Sequence, residues 1–347
     1  MDMGRGPLRV VALALVGALT LSACAGDEAE PSTTGGSPEP APSAATGVTG
    51  SPVDLVEAEI AVGGEPIGIA AGEGSIWVVN SEFQAAGPGS VSRIDPTTNQ
   101  VLATVEVGAV PLEVAVGEGA VWVSNADDDT VSRIDPASDE VVATIDACGA
   151  PEGLAIGGAA VWVVCEDDGT LGRIDPAKDE LVEVFEVGLQ PRFVTYAFDS
   201  VWVSNYLDGG VMRLDPATGE VLAQVETAQG PQIMLEAEGH LWVSCTDADV
   251  VQRIDPATNE VVAEIATPVV PDGLAYAPFI VWVATEGGPE IAGIDTSTNE
   301  ILATSTVGDE GFINANQVMV FEAGSLWLPI LERGVVLRVR PPATTVE

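Results

Sequence analysis

An all-β fold, a seven-bladed β-propeller of four-stranded antiparallel blades, is predicted by three observations. The seven Trp residues stand at 77, 122, 162, 202, 242, 282 and 327, spaced 45, 40, 40, 40, 40 and 45 apart. Each period holds four short apolar runs separated by Gly, Asp, Asn and Pro, the pattern of strands joined by tight turns. The last period is one run short, and a matching run precedes the first. A repeat of about 40 residues carrying four strands is the signature of a propeller blade.

The chain begins with Arg5 and Arg9, followed by the apolar run 10–21. A bilayer span needs about 20 apolar residues, so this run is too short to cross and suits the core of a secretion signal over 1–23. Leu21-Ser22-Ala23-Cys24 resembles the lipobox of bacterial lipoproteins. That resemblance implies cleavage before Cys24, lipidation of its thiol, and an extracytoplasmic protein anchored to the membrane through the acyl chains. Residues 24–52 follow as a tether of Ala, Gly, Ser, Thr, Pro, Asp and Glu, with Val48 its one larger apolar side chain. Such a composition does not recover its ordering entropy by burial.

The propeller is expected over 53–341, with a short tail at 342–347. In the third unit the strands are read at 153–156, 160–165, 170–174 and 180–185. The run 54–62, DLVEAEIAV, matches fourth strands such as 140–145, EVVATI, and is expected to complete the last blade and close the ring. Closure removes the exposed edges of an open array. Repeat units of the form PxGxAxGxGxVWVxN followed by VxRIDPxTNEVxA resemble the bacterial YVTN-type β-propeller family, related in fold to streptogramin lyases of the virginiamycin B type. The resemblance covers 54–340 and speaks to fold more than to function, because one fold hosts many activities.

Positions identical in every blade are read as architecture, since a single site rarely needs seven equivalents. The Trp residues are assigned to packing between blades. Arg-Ile-Asp-Pro ends the third strand, where Asp accepts backbone N–H bonds and Pro presets a turn. Arg93, Arg133, Arg173, Arg213 and Arg253 are expected to pair with nearby acids. Asp127-Asp128-Asp129 and Glu166-Asp167-Asp168 lack the alternating ligand spacing of a calcium loop and are read as solvated turns, with no metal site expected. Cys148 and Cys165 meet at one end of a hairpin and are expected to form a disulfide outside the cytoplasm. Cys245 is left free. His240 is the one His in the chain, which excludes any mechanism needing two imidazoles. It falls in the turn between first and second strands, on the face opposite the other loops. The lyase resemblance implies a His–Glu and Mg²⁺ constellation on the funnel face, and this chain departs from it there.

Function is therefore sought where the blades differ. Ten residues before each Trp, where the innermost strand begins at the mouth of the central channel, stand Ile67, Leu112, Glu152, Arg192, Gln232, Asp272 and Gln317. Glu113, Phe193 and Tyr206 are further departures on the same face. The two spacings of 45 enlarge the loops 80–90 and 308–317, expected to form one rim carrying Phe83, Phe312, Asn314 and Asn316. The expected ligand-binding set at the mouth is Glu113, Glu152, Arg192, Phe193, Tyr206, Gln232, Asp272, Phe312, Asn314 and Gln317.

The net charge is −41, from 53 acids against 12 Lys and Arg. An acidic surface repels phosphate backbones, so nucleic acid is excluded as a partner. No cofactor is expected, and a monomer is. The leading expectation is a lipid-anchored module that binds a small molecule or protein at the mouth without chemistry. The alternative is a lyase or lactone hydrolase using Glu113, Glu152 or Asp272 with a divalent ion.

Overall fold

The computed structural model describes residues 55–83, 87–268, 270–285, 290–307 and 319–342. The signal segment, Cys24, the tether, and Phe312, Asn314, Asn316 and Gln317 of the rim lie outside them. Seven four-stranded antiparallel sheets form the blades. Six are continuous in the chain, over 66–109, 111–146, 151–186, 191–226, 231–266 and 271–306. The seventh combines Val320–Glu322, Ser325–Ile330 and Val335–Val339 with Val56–Ala61, which pairs antiparallel with 335–339 and closes the ring. The third blade spans Pro151–Gly157, Ala160–Cys165, Thr170–Asp175 and Glu180–Glu186.

The Trp side chains all fall on the second strands and are buried. Each lies between blades: Trp77 packs with Val121, Val123 and Ile134 of the second blade, and Trp327 with Ile69, Ile76 and Val78 of the first. Every second strand is covered on both faces, which is why its sequence is a continuous apolar run rather than an alternation.

The repeat Arg does more than pair with acids. In five blades the guanidinium lies over its own Trp ring, at 4.8 Å for Arg213 and 5.3 Å for Arg133. It then reaches the third-to-fourth turn of the next blade. Arg93 donates to Pro136 O at 2.7 Å and Asp139 at 2.9 Å, and Arg213 to Pro256 O at 2.6 Å and Asn259 at 2.9 Å. Arg338 carries the clamp across the closure to Pro96 O and Asn99. The sixth blade has Gly293 opposite its Trp. Its neighbour is the composite seventh blade, whose third strand leads to the chain end and whose fourth comes from the N-terminus, so no third-to-fourth turn exists there to be clamped. A Cβ at Gly293 would stand 3.0 Å from the Trp282 ring.

The turn acids also act as architecture. Asp95, Asp135, Asp175, Asp215, Asp255 and Asp295 each accept the backbone N–H two residues on. Asp128 accepts Ala109 N at 2.7 Å and Asp168 accepts Gly149 N at 2.8 Å, tying second-to-third turns to the incoming interblade connections. Cys148 and Cys165 are joined by a disulfide with Cα atoms 5.7 Å apart. Cys245 is free and buried, and burial pushes its thiol up to about 12.

Candidate functional site

Each described innermost strand of the six continuous blades opens with a β-bulge just after its Pro, as between Pro111 and Val114 or Pro151 and Leu154. A bulge inserts an unpaired residue and re-aims its side chain. The variable position of the repeat falls inside it. The N–H freed by the bulge is satisfied from the neighbouring strand: Ser124 Oγ accepts Glu113 N at 3.0 Å, and Ser204 Oγ accepts Phe193 N at 3.2 Å. In blades 2, 4 and 5 a Ser of the second strand thus holds the backbone beside a position whose side chain differs.

Adjacent innermost strands come very close at the mouth. A Cβ on Gly68 would stand 2.5 Å from Leu112 O, and one on Gly153 would stand 2.6 Å from Arg192 O. Glycine is required at both places by contact with the next backbone. The mouth is consequently tight, and Ile67, Leu112, Glu113, Glu152, Arg192, Gln232 and Asp272 are all buried. Ile67, Leu112, Glu113, Glu152 and Phe193 surround a space of only about 10 Å³, about what one water occupies.

Glu113 and Glu152 share that space. Burial raises Glu113 to about 8, offset in part by the hydrogen bond from Val114 N at 3.0 Å and reinforced by repulsion from Glu152. Burial also raises Glu152 to about 7, against the attraction of Arg192. Arg192, only 9% exposed, meets Glu152 at 3.3 Å and Glu166 at 3.7 Å, and its Cζ lies 5.4 Å from the Tyr206 ring centre. Gln190 donates to the same Glu166 oxygen at 3.0 Å, and Tyr206 donates to Asp247 at 2.9 Å. The result is a polar chain across blades 3, 4 and 5. Arg192 Nε, Glu152 Oε2 and Gln232 Oε1 are buried within it or beside it without a hydrogen-bond partner.

Of the residues expected at the mouth, Glu113, Glu152, Arg192, Phe193 and Tyr206 come together. Gln232 is held in its own blade, 3.4 Å from Thr246 Oγ1, and Asp272 does not line the space shared by the two glutamates. Arg333 lies at the outer edge of the same face, paired with Glu59 at 2.6 Å. Phe83 is half-buried and packs with the cluster between blades 1 and 2. Sequence reasoning overlooked Glu166, grouping it with an acidic turn. Its signal was present, because Ala126, Glu166, Tyr206 and Thr246 occupy one repeat position, directly after the second strand, and it too differs among these four successive blades. His240 is on the opposite face, within 2.9 Å of Arg253 Nη2 and 3.0 Å of Glu238 O. Among the described residues no group of three or more His, Cys, Asp or Glu side chains is placed to hold a metal ion.

Fold and site together define a seven-bladed propeller that carries a buried Arg–Glu network between blades 3 and 4 at its channel mouth. No protein-family model and no curated protein matches the sequence significantly. Among solved structures the chain is similar to hydrazine synthase of Kuenenia stuttgartiensis, with a TM-score of 0.70 and 16% identity over 80% of this chain and 96% of that one. It is also similar to a streptogramin B lyase, with a TM-score of 0.69 and 17% identity over 82% of this chain and 96% of that one. At such identities the likeness is one of fold.

Proposed function

We propose that this protein is a lipid-anchored, extracytoplasmic interaction module that meets its partner on the loop face around the channel mouth and performs no chemistry there. The observation that supports this reading is the Arg192 cluster. There Glu152, Glu166, Arg192 and Tyr206, at positions that differ between neighbouring blades, join with Asp247 into one network across three successive blades. Among the described residues the buried carboxyls Glu113 and Glu152 face a space of only about 10 Å³, which is water-sized rather than substrate-sized. Contact falls to the exposed turns above it, where Leu207 is 63% exposed. A photo-crosslinking residue at Leu207, and separately at His240 on the far face, tests this in cells of the native host. Adducts from position 207 and none from 240 are expected; the reverse pattern overturns the placement.

A second reading, acid–base chemistry assisted by a divalent ion, draws on the raised Glu113 and Glu152, which retain protons near neutral pH. It requires Mg²⁺-dependent turnover of a lactone or cyclic ester that Glu152→Gln abolishes.

A further inference from the structure

A cleft of about 310 Å³ opens on the loop face beside the fourth blade, away from the mouth, lined by Val187, Gly188, Asn205, Asp208, Met212 and Gln224 among others. That volume is at the lower end of small-molecule sites. Its distinguishing feature is Asn205, 4% exposed, and the reason emerges from comparing blades.

An Asn ends the second strand in blades 1, 2 and 4. In blade 1, Asn80 Nδ2 donates to Ser90 Oγ at 3.2 Å and Ser92 Oγ at 3.0 Å. In blade 2, Asn125 Nδ2 donates to Thr130 Oγ1 at 3.1 Å and Ser132 Oγ at 3.0 Å, and Gly108 N donates to its Oδ1 at 3.1 Å. In blade 4 the residues at those register positions are Gly210 and Met212, neither of which carries a hydroxyl. Gly188, the counterpart of Gly108, is turned to φ +121, and Asn205 Oδ1 is buried with no partner. Asn80 Oδ1 also lacks a partner, but two hydroxyls hold its amide. Other blades fill the same place differently: Cys165 is disulfide-bonded to Cys148, and Gln252 accepts Ala228 N and donates to Glu264. Blade 4 alone among these keeps the buried amide, loses both hydroxyls and has a cleft where they would be. A buried acceptor left without a partner is destabilising, and Asn205 Oδ1 is such an acceptor at the wall of an open cleft, where a molecule from outside the chain can supply the missing donor.

We propose that this cleft binds a hydroxyl-rich small molecule, a monosaccharide or comparable cyclic polyol. Adjacent ligand hydroxyls take the places that Thr130 and Ser132 hold in blade 2. A hydroxyl both donates and accepts, so one accepts from Asn205 Nδ2 while its neighbour donates to Oδ1. The amide turns in a broad well about its last torsion, so engagement needs no backbone movement. Asp208, Gln224 and Glu226 stand around the opening as acceptors for further hydroxyls, and a chain carrying −41 charges disfavours anionic ligands there. Val187 and Met212, packed in one apolar cluster, line the cleft as an apolar floor for the C–H face of a ring. The site is separate from the mouth, and neither reading depends on the other.

The test is ligand-observed saturation-transfer NMR on the mature chain with D-glucose, D-mannose, D-galactose and myo-inositol at millimolar concentration. Asn205→Leu removes the amide and keeps its size; Asn125→Leu is the control in blade 2. At least one probe should receive saturation from wild type and from Asn125→Leu, with affinity reduced tenfold or more in Asn205→Leu. Asn205→Leu should melt at or above the wild-type temperature, and Asn125→Leu below it. Should Asn205→Leu fail to fold, Met212→Gln serves instead. It copies Gln252 of blade 5 in nearly the same volume, supplies Asn205 with an internal partner, and should weaken binding similarly. No saturation of any probe by wild type, undiminished binding in both cleft variants, or binding of methylammonium in place of the four probes overturns the proposal.

Discussion

Replacing Glu113 by Gln removes a titrating carboxyl from the mouth while keeping its shape and the hydrogen bond it accepts from Val114 N. Burial lifts this carboxyl from 4.5 to about 8. Between those values the folded protein holds a proton that the unfolded chain has released. The associated stability is fully present below pH 4.5 and is lost as pH rises through about 8. At 1.36 kcal/mol per pH unit, the full loss amounts to roughly 5 kcal/mol at alkaline pH. The Gln variant lacks this loss, so it should be the more stable form at pH 8.5 and nearly equal to wild type at pH 4.5. With about 2 °C of melting temperature per kcal/mol for a domain of this size, the separation at pH 8.5 is on the order of 10 °C. Thermal melts followed by circular dichroism, in half-unit steps from pH 4.5 to 9, measure it. Glu152 titrates in both proteins, so the informative quantity is the difference between the two curves. A difference that does not grow with pH, or a Gln variant less stable than wild type at pH 8.5, would refute the desolvation argument.

Arg213→Met cuts the clamp between blades 4 and 5, losing hydrogen bonds to Pro256 O and Asn259 and the guanidinium over Trp202. Partial exposure limits the effect to about 2–3 kcal/mol, read as a shift of the denaturant midpoint with an unchanged slope; no shift would make the clamp incidental. At the other end of the chain, Cys24→Ser should abolish incorporation of radiolabelled palmitate and release the protein from the membrane fraction. Equal labelling of both forms would remove the lipid anchor from the reading.

Much of this molecule is legible in its sequence because a propeller is made of near-identical units, each facing the same environment. Trp122 and Asp135 recur because every blade interface needs the same filling and every outer turn the same N–H acceptor, so repetition itself marks them as structural. The ring closure was legible for a similar reason: a missing fourth strand and a surplus first one leave a single way to pair all edges. Arg133 was recognised as architecture, yet its partner in the next blade was not, since a contact across 43 residues to Pro176 O leaves no local pattern. Gly293 acquires meaning only once the seventh blade is seen to be composite.

The mouth shows the boundary most sharply. Sequence comparison among the blades picked out Glu152 and Arg192 as exceptions and placed them on one face. It did not show that neighbouring strands approach until Gly68 and Gly153 touch the next backbone, which buries Glu113, Glu152 and Arg192. It likewise missed the cleft at Asn205, where a recurring Asn hides the loss of its hydroxyl partners on the adjacent strand. Periodicity, turn chemistry and charge are properties of neighbours in the chain, and the sequence by itself determined blade number, strand order, closure and the acidic surface. Burial, the raised carboxyls, the interblade clamps and the empty space beside Asn205 depend on distances between residues far apart in sequence, and only the packing of the closed ring decided them.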